Sequence, residues 1–124
     1  MMSEKTQILL AEDEAMLRVL AVEMLEDSGF QVFEAGDGVE ALALLHTHPA
    51  IALLVSDIKM PRMDGYALVE AGLGLRPDLK VLLMTGYAHD APTPMLQAHK
   101  IRILHKPFNL ELLCTLATEM LGNA

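Results

Sequence analysis

The sequence predicts an α/β fold in which helices cover a parallel sheet of five strands. Five short apolar runs alternate along the chain with stretches whose apolar residues recur at helical spacing, which is typical of such sheets. The chain of 124 residues is 52% hydrophobic but only 4% aromatic, so we expect aliphatic strands that are buried on both faces. Because this length suits one core, we expect residues 1–124 to form a single domain without an output domain.

The five apolar runs mark the predicted strands. They cover residues 7–11, 31–34, 51–56, 79–84 and 101–104. All are far shorter than the roughly 20 apolar residues that span a bilayer. The run 8–10 is also too short for the core of a signal peptide, and acidic residues follow it at once. We therefore expect a cytoplasmic protein that does not bind membranes.

The helices after the first two strands each have an apolar face. The face of the first helix consists of Leu17, Leu20, Ala21, Met24 and Leu25. Ser28-Gly29 follows it and supplies a helix end. The second helix starts at Asp37, which has capping-box spacing to Glu40, and it ends before Pro49.

The remaining helices differ in how clearly the sequence delimits them. The third starts near residues 64–65 and ends before Pro77, while the last opens at Asn109, a good N-cap, and ends at Gly122. The helix between the fourth and fifth strands should be short or irregular, because prolines within residues 92–94 fall where it would begin.

The charge balance excludes some partners. The chain has 17 acidic against 9 basic residues and a formal net charge of -8, whereas binding to a nucleic-acid backbone requires a basic surface. Protein partners and divalent cations fit better. Cys114 is the single cysteine, so no internal disulfide can form, and we expect it to be a small buried hydrophobic residue rather than a reactive thiol.

Polar residues collect where four of the predicted strands end. Glu12 and Asp13 follow the first strand, Asp57 the third, Thr85 the fourth and Lys106 the fifth. In open parallel sheets, ligands bind at the edge formed by the carboxyl ends of the strands. If strands one and three are neighbours, the carboxylates of Glu12, Asp13 and Asp57 should meet there. Two carboxylates about 4 Å apart repel by roughly 4 kcal/mol at an effective dielectric of 20, so the cluster needs a cation. Oxygen ligands favour Mg²⁺, although Mn²⁺ could replace it, and zinc would need Cys or His ligands.

Thr85 and Lys106 indicate more than a cation site. A hydroxyl donor and an ammonium group at the same edge suit the oxygens of a phosphoryl group. Together with a carboxylate nucleophile and a metal ion, they are the groups that stabilise a phosphoryl group during its transfer. Asp57 is the predicted nucleophile.

With these motifs, the chain resembles the receiver domains of two-component response regulators over nearly its whole length. The resemblance is carried by ILLAED at 8–13, VSDIKMP at 55–61, MDG at 63–65, TG at 85–86 and KPF at 106–108. It implies a flavodoxin-like, doubly wound sheet with strand order 2-1-3-4-5 and five helices. It also implies that Asp13 binds Mg²⁺ directly, that Glu12 acts through water, and that Asp57 both binds Mg²⁺ and accepts the phosphoryl group.

The resemblance assigns further roles around Asp57. The backbone carbonyl of Lys59 should complete the protein ligands of Mg²⁺, and Thr85 and Lys106 should contact the phosphoryl oxygens. The Lys106-Pro107 peptide is expected to be cis. Asp64-Gly65 should shape the loop beside the site.

The resemblance also implies the partners. A histidine kinase or a histidine phosphotransfer protein would donate the phosphoryl group, and an effector protein would bind the phosphorylated form. The chain would be a signalling phospho-acceptor with slow autodephosphorylation rather than an enzyme, and we expect a monomer or weak dimer. Met16 and Val19, which lie off the core face of the first helix, are candidates for the face that docks the kinase.

The sequence departs from the family at one position. Many receivers have Tyr or Phe three residues before the lysine, where this chain has Ile103. Tyr87 lies two residues after Thr85 instead, and our hypothesis is that it couples phosphorylation to a change of the surface. In the last helix, Leu112 and Leu116 widen the apolar stripe, which indicates either a protein interface or a wide core contact.

Other functions remain open at the level of sequence. The chain could be a phosphate shuttle or sink in a phosphorelay without a dedicated effector, or a pseudo-receiver that is never phosphorylated. A phosphohydrolase with an aspartate nucleophile is disfavoured, because that class needs a second carboxylate at the position of Lys59. A flavodoxin-like cofactor site is disfavoured too, because residues 12–14 are all acidic and would repel a phosphate.

Overall fold

A computed structural model describes residues 5–86, 101–107 and 109–122, and the strands in these ranges form one parallel sheet. They are β1 (Gln7–Ala11), β2 (Gln31–Ala35), β3 (Ile51–Asp57), β4 (Lys80–Thr85) and β5 (Arg102–His105). Their order is β2-β1-β3-β4-β5, which confirms the predicted doubly wound α/β fold. Each strand begins and ends within one residue of its predicted bounds.

The described helices also follow the predicted positions. They are α1 (Ala15–Asp27), α2 (Gly38–Thr47), α3 (Gly65–Leu75) and the last helix, here α4 (Leu110–Leu121). The short helix expected between β4 and β5 falls in residues 87–100, outside the described ranges. Within the described ranges, no helix combines the length and the apolar character needed to cross a membrane. The organisation as one domain without an output domain stays a prediction.

Side-chain caps explain where three of these helices begin. Asp37, Asp64 and Asn109 each accept a hydrogen bond through a side-chain oxygen from the backbone N–H three residues later, at 2.7–2.9 Å. Such a bond satisfies one of the N–H groups that a helix start leaves without a partner. The capping box predicted at Asp37 is extended by one residue, because Glu40 Oε1 accepts from the N–H of Gly36.

The sheet separates two layers of buried side chains. On one face, Leu9 and Leu54 pack with residues of α2 and α3, including Leu45 and Leu68. On the other face, the strand residues pack with α1 and α4. β1, β3 and β4 lie between other strands and are buried on both faces, as their continuous apolar runs predict. Cys114 is 8% exposed within the second layer, which confirms the small buried residue expected there.

The predicted face of α1 is wrong for Leu20, which is 44% exposed. Ala21 and Leu25 lie one turn apart and are buried against the sheet and α4. Leu20 is rotated away from this line and lines a groove with Met24 and Leu110 between the two helices. The helix therefore buries a narrower stripe than its apolar residues suggested.

Four apolar residues of α1 and α4 were candidates for a protein interface, and three of them are exposed. Met16 and Val19 are 73% and 52% exposed, as expected for residues off the core face of α1. In α4, Leu116 packs against the buried layer, whereas Leu112 is 42% exposed. Leu116 is thus a core contact, and an interface role is left to Leu112 alone.

Candidate functional site

The three predicted acidic residues meet at the carboxyl end of the sheet. β1 and β3 are neighbours, and their register places Ala11 beside Ser56, so the residues that follow are adjacent. One oxygen from each of Glu12, Asp13 and Asp57 lies within 4.8 Å of the others. Glu12 and Asp57 are buried and Asp13 is exposed. Carboxylate oxygens of this kind, in a site open to water, are the ligands that Mg²⁺ prefers in proteins.

Lys106 brings a positive charge to the same cluster. Its Nζ donates a hydrogen bond to Asp57 Oδ2 at 2.7 Å and lies 3.6 Å from Glu12 Oε1. The backbone N–H of Lys106 donates to the carbonyl of Thr85 at 2.6 Å, so the ends of β4 and β5 are joined beside the site. The Lys106-Pro107 peptide is cis, as expected.

Glu12 has one side-chain oxygen bonded and one without a hydrogen bond. Oε2 accepts from the N–H of Glu14 at 2.9 Å. Oε1 is buried and has no hydrogen-bond partner among the described residues. Because buried polar atoms in native proteins are nearly always hydrogen-bonded, an oxygen of this kind is suited to a cation or to a water molecule bound to one. The residues therefore fit a divalent ion.

The environment shifts the pKa of two site residues. Burial raises the pKa of Glu12 to about 7, and the charge of Asp57 adds to the rise, while the N–H of Glu14 and the charge of Lys106 oppose it. Burial lowers the pKa of Lys106, but its hydrogen bond to Asp57 and the charge of Glu12 outweigh this and raise it overall. The Glu12 carboxyl therefore takes up a proton at a higher pH than an exposed glutamate, so protonation competes with a cation for this oxygen.

The start of α3 packs directly against the end of β3. The Gly65 N–H donates to the carbonyl of Ile58 at 2.7 Å. A Cβ atom at Gly65 would lie 2.5 Å from the carbonyl oxygen of Asp57, closer than packed atoms approach. Glycine is therefore required where the loop that follows Asp57 turns back, and Asp64-Gly65 shapes this loop as expected.

Three predicted site residues are described less completely. Thr85 is 1% exposed at the end of β4, beside the strand that carries Asp57. The N–H of Lys59 lies 3.3 Å from Asp57 Oδ1, so the backbone at Lys59 borders the cluster, and its carbonyl as a metal ligand stays a prediction. Tyr87 lies outside the described residues, and its role as a switch stays a prediction as well.

Two residues that sequence reasoning did not single out contact the site. Ser56 Oγ is buried and donates to the carbonyl of Asp57 at 2.8 Å. Arg18 Nη1 donates to the carbonyl of Glu12 at 2.8 Å. Arg18 had a signal in the sequence, because it is the single basic residue within the acid-rich stretch 12–27. Ser56 had none, since a serine in an apolar strand is common.

The family follows from a match along most of the chain. Residues 8–118 match the family model described as the response regulator receiver domain. The chain belongs to this family. Aspartate phosphorylation and Mg²⁺ binding at an acidic pocket are general features of receiver domains.

Relatives agree with this assignment. The receiver protein CpdR of Brucella abortus (strain 2308) is 39% identical over 105 residues, which are 84% of this chain and 87% of that protein. The sensor kinase CckA of the same strain is 39% identical over 122 residues, which span 97% of this chain but only 13% of that protein. The crystal structure of the receiver domain of a hybrid histidine kinase CckA has a TM-score of 0.79 and 31% identity, covering 93% of this chain and 98% of that one.

Proposed function

We propose that this receiver accepts a phosphoryl group on Asp57 from a histidine kinase or a histidine phosphotransfer protein. It then signals by binding another protein in its phosphorylated form. The observation that carries the proposal is the contact between Lys106 Nζ and Asp57 Oδ2, at 2.7 Å. It lies at the edge where oxygens of Glu12 and Asp13 are also within 4.8 Å of Asp57.

The proposed chemistry is the transfer of a phosphoryl group from a histidine of the donor protein to Asp57. A carboxylate oxygen of Asp57 attacks the phosphorus, and the bond from phosphorus to the donor's imidazole nitrogen breaks. The imidazole keeps the electron pair of that bond. Lys106 and the Thr85 hydroxyl supply a cationic and a neutral donor for the phosphoryl oxygens, where negative charge is concentrated during transfer.

The acidic side chains prepare the site for a metal ion. Asp13, Asp57 and the Lys59 carbonyl would hold Mg²⁺ directly, and Glu12 would hold it through water. When bound, Mg²⁺ supplies positive charge that offsets both the carboxylates and the incoming phosphoryl group. Burial of Asp57, which is 7% exposed, limits the access of water and strengthens these interactions.

The test is intact-mass measurement after incubation with acetyl phosphate. With Mg²⁺, the wild-type protein should gain the mass of one phosphoryl group, and a chelator should prevent the gain. Asp57→Asn should show no gain. Asp64→Asn is the matched control, since it removes a carboxylate from the neighbouring loop while keeping the helix cap, and it should be phosphorylated normally.

Two other results would change the conclusion. A wild-type protein that gains no mass in saturating Mg²⁺ and acetyl phosphate would be a pseudo-receiver. If the phosphorylated protein instead passes its group rapidly to a histidine phosphotransfer protein and binds no effector, it would act as a shuttle. Tyr87→Ala addresses the output, and we expect it to keep the mass gain but lose phosphorylation-dependent binding.

A further inference from the structure

Arg18 joins three segments beside Glu12, a member of the acidic cluster. It lies in α1, and its guanidinium donates through Nη1 to the carbonyl of Glu12 at 2.8 Å and through Nε to Glu34 Oε1 at 3.1 Å. Its side chain is 23% exposed. The residue thus links α1 and the end of β2 to the backbone that immediately follows β1.

The bond from Arg18 completes the constraint on Glu12. The N–H of Glu12 donates to the carbonyl of Ala35 at 3.0 Å, so both backbone groups of Glu12 have partners. Its Oε2 is held by the N–H of Glu14. The remaining polar atom, Oε1, is the buried oxygen that faces Lys106 Nζ at 3.6 Å. Three hydrogen bonds therefore restrain the backbone and the carboxylate of Glu12, and with them the position of this oxygen.

We propose that Arg18 is a positioning residue of the cation site, which sets the orientation of the Glu12 carboxylate by holding the Glu12 carbonyl. This inference rests on the proposed function, because it assumes that the cluster binds Mg²⁺. Residues that orient metal ligands typically change metal affinity by about 10–100-fold when they are replaced.

The positioning role and a purely electrostatic role of Arg18 have opposite consequences. A guanidinium bonded to the backbone of Glu12 repels a divalent cation that approaches the Glu12 carboxylate, so removal of its charge alone should tighten Mg²⁺ binding. Loss of positioning should weaken binding, because Glu12 would then sample orientations that do not face the ion. The sign of the change therefore separates the two roles.

The experiment measures Mg²⁺ binding by titration calorimetry at pH 8 without any phosphodonor. We expect Arg18→Met, which keeps the aliphatic stem, to raise the Kd about tenfold. Glu34→Gln is the matched control, because it removes the ion pair of Arg18 but keeps its bond to Glu12, and it should bind Mg²⁺ as the wild type does. Arg18→Lys keeps the charge but offers a single donor group, so its affinity should be intermediate.

A second measurement is made on the metal-free, folded proteins. Hydrogen exchange at the Glu14 amide should be faster in Arg18→Met than in the wild type, because Glu12 Oε2 no longer holds that N–H in place. Exchange at the core amides of β4 should be unchanged. In saturating Mg²⁺, Arg18→Met should be phosphorylated by acetyl phosphate at the wild-type rate. The substitution should therefore raise the half-saturating Mg²⁺ concentration and leave the maximal rate unchanged.

Two results would overturn the inference. If the wild type binds Mg²⁺ and Arg18→Met binds it equally or more tightly, Arg18 has no positioning role and the proposed function is unaffected. If the wild type itself binds no Mg²⁺, both the inference and the metal-dependent step of the proposed function fail.

Discussion

Replacement of Asp13 by asparagine tests the electrostatic account of the site. Its carboxylate lies within 4.8 Å of oxygens of Glu12 and Asp57. At an effective dielectric of 20, each such pair of charges repels by about 3.5 kcal/mol. Water screens the exposed Asp13, and the N-terminus of α1 favours a nearby negative charge by about 0.5 kcal/mol. We therefore expect Asp13→Asn to stabilise the metal-free protein by about 1 kcal/mol once these offsets are included.

The same substitution should abolish stabilisation by Mg²⁺. A ligand at ten times its Kd adds about 1.4 kcal/mol to the free energy of unfolding of a protein that binds it only when folded. The wild type should gain this amount, and Asp13→Asn should gain almost nothing. Asp13→Asn should then be more stable than the wild type without Mg²⁺ and less stable than the wild type with it.

Urea denaturation at pH 8, with chelator or with Mg²⁺, measures both effects. At this pH the Glu12 carboxylate is mostly ionised, since its pKa is about 7. Glu14→Gln is the control, because Glu14 belongs to the same loop but not to the acidic cluster, and it should keep the stabilisation by Mg²⁺. The reasoning is refuted if Asp13→Asn is less stable than the wild type without metal, or if Mg²⁺ stabilises both equally.

Three further predictions follow from the site and the loop beside it. First, the pKa of Glu12 is raised from 4.5 to about 7, so between these pH values the folded state binds more protons than the unfolded state. The free energy of unfolding of the metal-free protein should therefore fall as the pH rises from 4.5 through 7. In urea titrations at a series of pH values, Glu12→Gln should lack this part of the pH dependence. Second, Lys106→Met should slow phosphorylation by acetyl phosphate about 100-fold. Calorimetry should show that Mg²⁺ binding is retained or tightened, because the variant lacks a positive charge that competes with the metal ion. An unchanged phosphorylation rate would contradict the role of Lys106. Third, Gly65→Ala should lower the free energy of unfolding by roughly 1–3 kcal/mol, because the new methyl group would collide with backbone atoms of Asp57 and Ile58. At Gly74, no atom other than those of its chain neighbours and of its own helix backbone lies within 4 Å of the added Cβ. Gly74→Ala should therefore be neutral or stabilising in the same assay, and equal losses in both variants would argue against the collision.

The positions of the secondary-structure elements were predictable because they depend on local patterns. Apolar runs of four to six residues mark the strands, and Asp37, Asp64 and Asn109 mark helix starts through bonds to backbone only three residues away. The exposure of Leu20 was not predictable in this way. It depends on how α1 lies against both the sheet and α4, and a pattern within one helix does not contain that angle.

The strand order came from the resemblance to receivers rather than from the strands themselves. Apolar runs show which segments form a parallel sheet, but they do not show that β1 lies between β2 and β3. That arrangement is what brings Glu12 and Asp57 together, although 45 positions separate them in the chain.

The sequence by itself predicted which residues would carry the proposed chemistry. Carboxylates, a threonine and a lysine lie where apolar strands end, and the carboxyl ends of all strands in a parallel sheet lie at one edge. Only the tertiary structure decided which groups bond to one another there: Lys106 bonds to the Asp57 carboxylate, and Arg18 bonds to the backbone carbonyl of Glu12. Hydrogen bonds require atoms to be placed within a few tenths of an ångström, and such precision arises only when the packed elements have fixed one another's positions.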